Sequence, residues 1–258
     1  MAESSRTPSG VSQPGSASLQ QPDYWWYRAR TRLLEASLGP YAAGAQRVLD
    51  VGSADGPSVG WLGGSQLHAT VDVVTSGLRA GTGVCASALA LPFHDEVFDV
   101  VGAFDVLEHL DPEAQGIGEL ARVLQVGGHL LLSVPAYEWA WSQHDVHAGH
   151  YRRYTRQRLL AAIRSAGLRP LHSSYAFASV FPFFVAERGI RRFGELRGSS
   201  KRQLTPVSPT MDRVLMGLSS LDERVLRRGS LPFGSSVLAA AVKEHTTSKD
   251  SSSRRSVA

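Results

Sequence analysis

Short apolar runs that stop at an acid or a glycine recur along this chain. "QRVLDVG" (46–52) ends at Asp50 and Gly52, "HATVDVV" (68–74) runs past Asp72, and "VFDVVGAF" (97–104) and "GHLLLSVP" (128–135) repeat the form, the last after a Gly127-Gly128 turn. Runs this short, rich in valine and leucine and bounded by turn residues, predict buried β-strands. Segments 169–177 and 234–243 read as two more. Between the strands the period lengthens. Ile117, Leu120, Ala121 and Leu124 share one face of a helix predicted over 112–125 with Asp111 as its N-cap, and Thr155 caps "RQRLLAAIRSAG", which stops at Gly167. Strands alternating with helices predict an α/β fold built on a doubly wound parallel sheet, whose ligands sit beyond the carboxyl ends of the strands.

The rhythm changes after residue 177. Phe183, Ala186, Ile190 and Phe193 form an apolar helical stripe backed by Arg188, Arg191, Arg192 and Arg197, and a second stripe follows a "TPVSP" linker: Met211, Val214, Leu215, Leu218, Leu221 and Val225. Segment 178–233 therefore reads as an amphipathic helical insertion between the last two strands, and 23–177 plus 234–243 as the core domain. Residues 1–22 and 244–258 are rich in Ser, Pro, Gly and Gln or in charge, and are expected to be a disordered leader and tail. The leader has no apolar core of the kind a signal peptide needs.

The lone cysteine, Cys85, rules out an internal disulfide and a thiolate metal cluster, which suits a reducing, cytoplasmic setting. No window approaches the ~18 apolar residues needed to span a bilayer. The net charge of +4 is unevenly spread. Residues 1–149 hold 7 Lys/Arg against 16 Asp/Glu, and residues 150–258 hold 20 against 7. An acidic half suits a cationic ligand, and a basic half suits phosphates or an anionic membrane face.

Candidate chemistry begins in "LDVGSADGPSVGWL", where Asp50 closes the first strand and Gly52, Ser53 and Gly56 stand where the chain must turn. Glycine there permits positive φ and close approach of backbone amides to a ligand. Asp72 lies at the end of the second strand, where a carboxylate can grip both ribose hydroxyls of a nucleotide. The G-x-G-x-x-G loop of a nicotinamide enzyme and the Gly-Lys-Ser/Thr phosphate loop are both absent from this stretch. An acid ahead of the glycines repels pyrophosphate and suits a positively charged amino-acid moiety.

"DVGSADG" and "ALALPFHDEVFDVVGAFDVLEHLDPEAQGIGELARVLQVGGHLLLSVP" resemble the class I S-adenosylmethionine-dependent methyltransferases over about residues 22–175. The resemblance implies a Rossmann-like, mostly parallel seven-stranded sheet with helices on both faces, and S-adenosyl-L-methionine as cofactor. It implies that Asp50 and Gly52 contact the methionine end, Asp72 the ribose and Ser87-Ala88 the adenine, with Asp105 and His109 lining the methyl-transfer side. Ala54 replaces the family's usual middle glycine, and Ser87 replaces its usual acid. "DYWWYRARTRLLEA" (23–36) resembles the first helix of a bacterial subgroup, implying that Trp25, Trp26, Tyr27 and Arg30 lid the cofactor pocket.

"HDVHAGHYRRY" (144–154) follows the fifth strand. The spacing of His144, His147 and His150 would align them on one helical face and invites a zinc reading, but methyl transfer needs no metal and none is expected. The loop is read instead as the acceptor wall. His144, His147 or His150 with Asp145 would supply a base near neutral pH, and Tyr151, Arg152, Arg153, Tyr154 and Trp26 would hold the acceptor. The expectation is methyl transfer to an oxygen nucleophile on a small or lipid-linked acceptor, with peripheral contact to anionic membrane. The alternatives are a membrane or scaffold module that keeps the fold, and nucleic-acid methylation, for which no appended RNA-binding module is visible.

Overall fold

The computed structural model describes residues 23–52, 60–75, 78, 80–195 and 207–245, of which 187 and 190–195 are described by their backbone alone. The expected leader, the end of the expected tail, and Ser53, Ala54 and Gly56 of the first loop lie outside the described residues.

Seven strands form one sheet: β1 (Arg47–Val51), β2 (Leu67–Asp72), β3 (Gly83–Cys85), β4 (Phe98–Phe104), β5 (Leu124–Pro135), β6 (Leu168–Ala176) and β7 (Ser236–Lys243). Their order is β3-β2-β1-β4-β5-β7-β6. The first five pair in parallel, and β7 runs antiparallel between β5 and β6. The apolar runs became strands because both faces are covered: β1 and β4 bury Val48, Leu49, Val100 and Val101 almost completely. Only β3 has no counterpart among the apolar runs. It is an edge strand of three residues, none of them buried, too short and too polar to register as a pattern.

Among the described residues, six α-helices accompany the sheet: α1 (Trp25–Leu38), α2 (Glu113–Val123), α3 (Gln143–Ala148), α4 (Arg156–Ser165), α5 (Phe181–Glu195) and α6 (Pro209–Leu226). The helices cover both faces, α1 packing with α6 and against β7, while α2 packs with α4 and against β5. Thr155 caps α4 as expected, accepting from Arg158 N–H. Asp111 does not cap α2. That helix starts at Glu113 behind Pro112, and the Asp111 carboxylate instead accepts from Arg152 at 3.1 Å. Helix α2 also ends earlier than expected, because Leu124 already belongs to β5, paired with Phe98.

The insertion between β6 and β7 is helical, but α6 turns a different face inward. Leu215, Ser219, Asp222 and Leu226 are its buried residues, while Met211, Val214, Leu221 and Val225 of the apolar stripe are exposed. Two polar contacts set this rotation. Arg28 on α1 binds both carboxylate oxygens of Asp212 at 2.6 Å, and Asp222 receives the backbone N–H of Ser179 at the end of the β6 connection. A charge-assisted contact and a buried carboxylate with a donor outweigh the solvation of a few aliphatic side chains.

Gly52 is the tightest point of the β1 turn. Its φ is +78°, and a Cβ there would stand 2.3 Å from Val106 Cγ2. Gly52→Ala is expected to cost about 2–4 kcal/mol, from left-handed strain and overpacking together. Gly118→Ala, on a helix with nothing within 4 Å, should stabilise by up to about 1 kcal/mol. Urea titration of both variants checks the contrast.

Candidate active site at the carboxyl edge of the sheet

The edge formed by the ends of β1, β2, β4 and β5 collects the predicted residues. Asp50 and Asp72 close neighbouring parallel strands and are 2% and 9% exposed. Gly52 N–H donates to Val71 carbonyl at 2.8 Å and ties the first loop to the end of β2. The Asp72 carboxylate accepts from Val74 N–H at 2.8 Å, which shapes the turn after β2. Beside it, the turn after β3 exposes Ser87, whose hydroxyl accepts from Leu89 N–H, and buries Ala88.

Asp105 follows β4 with a φ of 59°, an uncommon conformation for any residue with a side chain. Its carboxylate accepts from Arg30 Nη2 at 2.8 Å and from Ser133 Oγ at 3.1 Å. The Arg30 side chain is only 3% exposed and its guanidinium lies over the Trp26 ring, which stacks on Phe177 at 5.7 Å. The first helix is therefore fastened to the end of β4 through a buried ion pair.

The next turn, Leu107–His109, carries Glu108 and His109. The histidine-rich loop is stitched to it: Tyr151 N–H donates to Glu108 carbonyl at 2.8 Å and Arg152 Nη1 to Leu110 carbonyl at 2.7 Å. These bonds bring the rings of His109 and His150 edge to face at 4.6 Å, with His144 6.3 Å from His150.

The loop is not one helical face. Helix α3 ends at Ala148, Gly149 turns at φ 73°, and His150 lies beyond it. His147 points away, its Nδ1 held by Gln143 carbonyl. Asp145 turns fully inward, where it receives Arg153 Nε at 2.8 Å, His150 Nδ1 at 2.9 Å and Ser142 N–H at 2.8 Å. Burial alone would raise its pKa, but these donors together hold it far below the usual carboxylate range.

The arginines and tyrosines of the loop depart from the expected acceptor wall. Arg153 is 5% exposed and spends its donors on Asp145 and Ala136 carbonyl. Tyr154 is fully buried and donates to Glu113 at 2.6 Å. Arg152 binds Leu110 and Asp111. Tyr151 alone of the four is well exposed. Arginine beside tyrosine looks like a ligand clamp in sequence, but here the pair anchors the loop to α2 and β5.

Two participants escaped sequence reasoning. Glu108 is 1% exposed, and neither carboxylate oxygen has a hydrogen-bond partner among the described residues. Its burial, and after that the nearby Asp105 charge, push its pKa well up. The available signal was an acid flanked by Leu107 and Leu110 straight after a buried strand. Tyr137 follows β5 with a φ of 62° and stacks between Tyr175 and Trp139, and burial and the Tyr175 hydrogen bond push its pKa up to about 12. Burial, and then His150, lower the pKa of His109, and burial likewise lowers that of His144 despite Asp145. Both shifts favour the neutral ring.

Residues 49–132 match the family described as "Methyltransferase domain". The segment from β1 into β5 is thus similar to a methyltransferase domain. The chain is 32% identical over 169 residues to an uncharacterized methyltransferase of Mycobacterium avium, covering 60% of this chain and 64% of that protein. A second, from Mycolicibacterium gilvum, is 31% identical over 135 residues, covering 45% of this chain and 52% of that protein. The chain thus spans about half to two thirds of the length of these relatives. A Thermotoga maritima structure described as a SAM-dependent methyltransferase superposes with a TM-score of 0.55 at 15% identity, covering 88% of this chain and 97% of that one, which shows the shared fold. Asp50, Gly52, Asp72, Ser87 and Ala88 of the domain all lie at the β1–β3 end, where its cofactor would be held.

The buried Glu108 gives a stability test. Its folded-state pKa is raised, so its cost to the fold is absent below the usual glutamate range, about pH 4.3, and grows as pH rises above it. Glu108→Gln, in a buffer containing EDTA, is expected to raise Tm by more than about 2 °C at pH 7 and to leave it unchanged near pH 4. Paired calorimetric scans at the two pH values decide it.

Proposed function

We propose that the chain transfers the methyl group of S-adenosylmethionine to an oxygen nucleophile on a small or lipid-linked acceptor. The observation that carries this reading is the convergence of His144, His109 and His150, the last oriented by buried Asp145, at the same sheet edge as Asp50 and Asp72. Transfer from a sulfonium is an in-line displacement: the oxygen–carbon bond forms as the carbon–sulfur bond breaks, and S-adenosylhomocysteine leaves. Alignment supplies most of the rate. A hydroxyl acceptor also has to lose a proton, and a neutral histidine within reach takes it. His144 or His150 carries that role.

Exposed apolar groups support a lipid-linked acceptor. Phe183 and Val185 on α5, and Met211, Val214, Leu221 and Val225 on α6, are between 41% and 55% exposed. Arg213, Arg224 and Arg228 are exposed on or just after α6. No helix among the described residues is long and apolar enough to cross a membrane, so such a surface would meet lipid by lying on it. Nucleic acid is not among the proposed acceptors.

Calorimetry is expected to show S-adenosylhomocysteine binding with a Kd of about 1–100 μM, the range of ordinary cofactor sites. Asp72→Ala should weaken it at least about tenfold, or 1.4 kcal/mol. His150→Gln should leave that affinity within about twofold while failing to restore, in a deletion strain, the metabolite or lipid that the deletion leaves one methyl group short. Unchanged binding in Asp72→Ala would overturn the cofactor assignment. Leu221→Ser with Val225→Ser is expected to reduce sedimentation with anionic vesicles, and equal sedimentation of wild type and variant would remove the membrane surface.

A further inference from the structure

We propose that Glu108, His109 and His150 form a binding site for a divalent transition-metal ion at the acceptor edge of the sheet. One ligand atom from each lies within 4.8 Å of the other two. Zinc bonds of about 2.0–2.1 Å to nitrogen and oxygen place tetrahedral ligands about 3.3 Å apart. Closure is therefore a matter of about 1.5 Å or less, within the range of side-chain rotation. Two imidazoles and one carboxylate suit zinc, iron, cobalt or manganese, whereas magnesium and calcium prefer an all-oxygen shell.

Two further observations point to a ligand there. Glu108 is almost wholly buried with both carboxylate oxygens lacking a hydrogen-bond donor among the described residues. Arg30 and Arg153 act on it electrostatically but donate no hydrogen bond to it, so both oxygens remain available to a ligand. His150 presents Nδ1 to Asp145 at 2.9 Å, which leaves Nε2 as the nitrogen free to ligate. A carboxylate behind a histidine in this way fixes the ring and raises its basicity toward a metal. Asp145 is itself saturated by Arg153 and Ser142, so it acts behind the site and not in it. The backbone enforces the meeting: Glu108 and His109 share one short turn, and the Tyr151–Glu108 bond places His150 against it.

These ligands are not the trio that the spacing of three suggested. His147 is turned away, and His144 stands behind His150. Exposed His109 leaves the remaining coordination positions open to an incoming oxygen. This role rests on the methyl-transfer reading: a hydroxyl bound to the ion loses its proton more readily, His144 accepts that proton, and the oxygen lone pair takes the methyl group as the carbon–sulfur bond breaks. The site itself stands on the side-chain geometry.

The test uses the full chain stripped with a chelator. Zn²⁺ is titrated against a chromophoric chelator, and Co²⁺ alone is followed by its visible absorption. One equivalent of Zn²⁺ is expected, with Co²⁺ bands of a low-coordinate site, and neither displaced by millimolar Mg²⁺. His109→Ala and Glu108→Gln should each weaken Zn²⁺ at least tenfold, and His147→Ala should leave it unchanged. His109 is exposed, so His109→Ala carries the test if circular dichroism shows Glu108→Gln to be unfolded. No stoichiometric binding, an unaltered Co²⁺ spectrum in His109→Ala, or displacement by Mg²⁺ would overturn the proposal. Lost metal binding with intact S-adenosylhomocysteine binding removes the site alone. The converse removes the methyl-transfer reading and leaves the site.

Discussion

The loop after β5 is organised around one buried carboxylate. Asp145 has no solvent contact, yet it stays ionised because the Arg153 guanidinium, the His150 ring and the Ser142 amide converge on it. Each donor fixes a different piece of chain: Arg153 the return toward β5, His150 the tip of the loop, and Ser142 the start of α3. Breaking a pair of this kind by deleting one partner typically costs about 3–5 kcal/mol, since the remaining charge is left in an apolar setting. The price of burying the charge is thus recovered as a loop with one geometry, and that geometry puts His150 beside Glu108 and His109.

A second ion pair does the same for the other wall. Arg30 reaches from the first helix to Asp105 at the end of β4. Asp105 holds a left-handed backbone, and Tyr137 does the same at the end of β5. Residues with side chains adopt that conformation only where their surroundings compensate. Glu108 adds a buried acid without donors. Three unfavourable local features thus sit on turns of one sheet edge, while the core behind them, from Val48 to Ala241, is mostly apolar and well buried.

Much of the fold was legible because strand burial writes itself into composition. The runs at 46–52, 97–104 and 128–135 became β1, β4 and β5, and Thr155 capped its helix. Edge strand β3 left no such mark, because a short strand with little burial has no apolar pattern to show. The rotation of α6 was also hidden. Its exposed and buried faces both carry aliphatic residues, and the choice was made by Asp212 and Asp222, whose partners Arg28 and Ser179 are remote in sequence.

The site divides the same way. Asp50 and Asp72 are placed by the strands they end, so a one-dimensional pattern locates them. Glu108, His109 and His150 come together only through the bonds from Tyr151 and Arg152 to the turn after β4. Nothing in "HDVHAGHYRRY" distinguishes the arginine that faces inward from one that would face a substrate. Periodicity reports which face of an element is apolar, and by itself it determined the strands, most helices and the acids at the strand ends. The tertiary structure decided which polar side chains are buried and with whom, because the stabilisation of a buried charge depends on donors brought from distant parts of the chain.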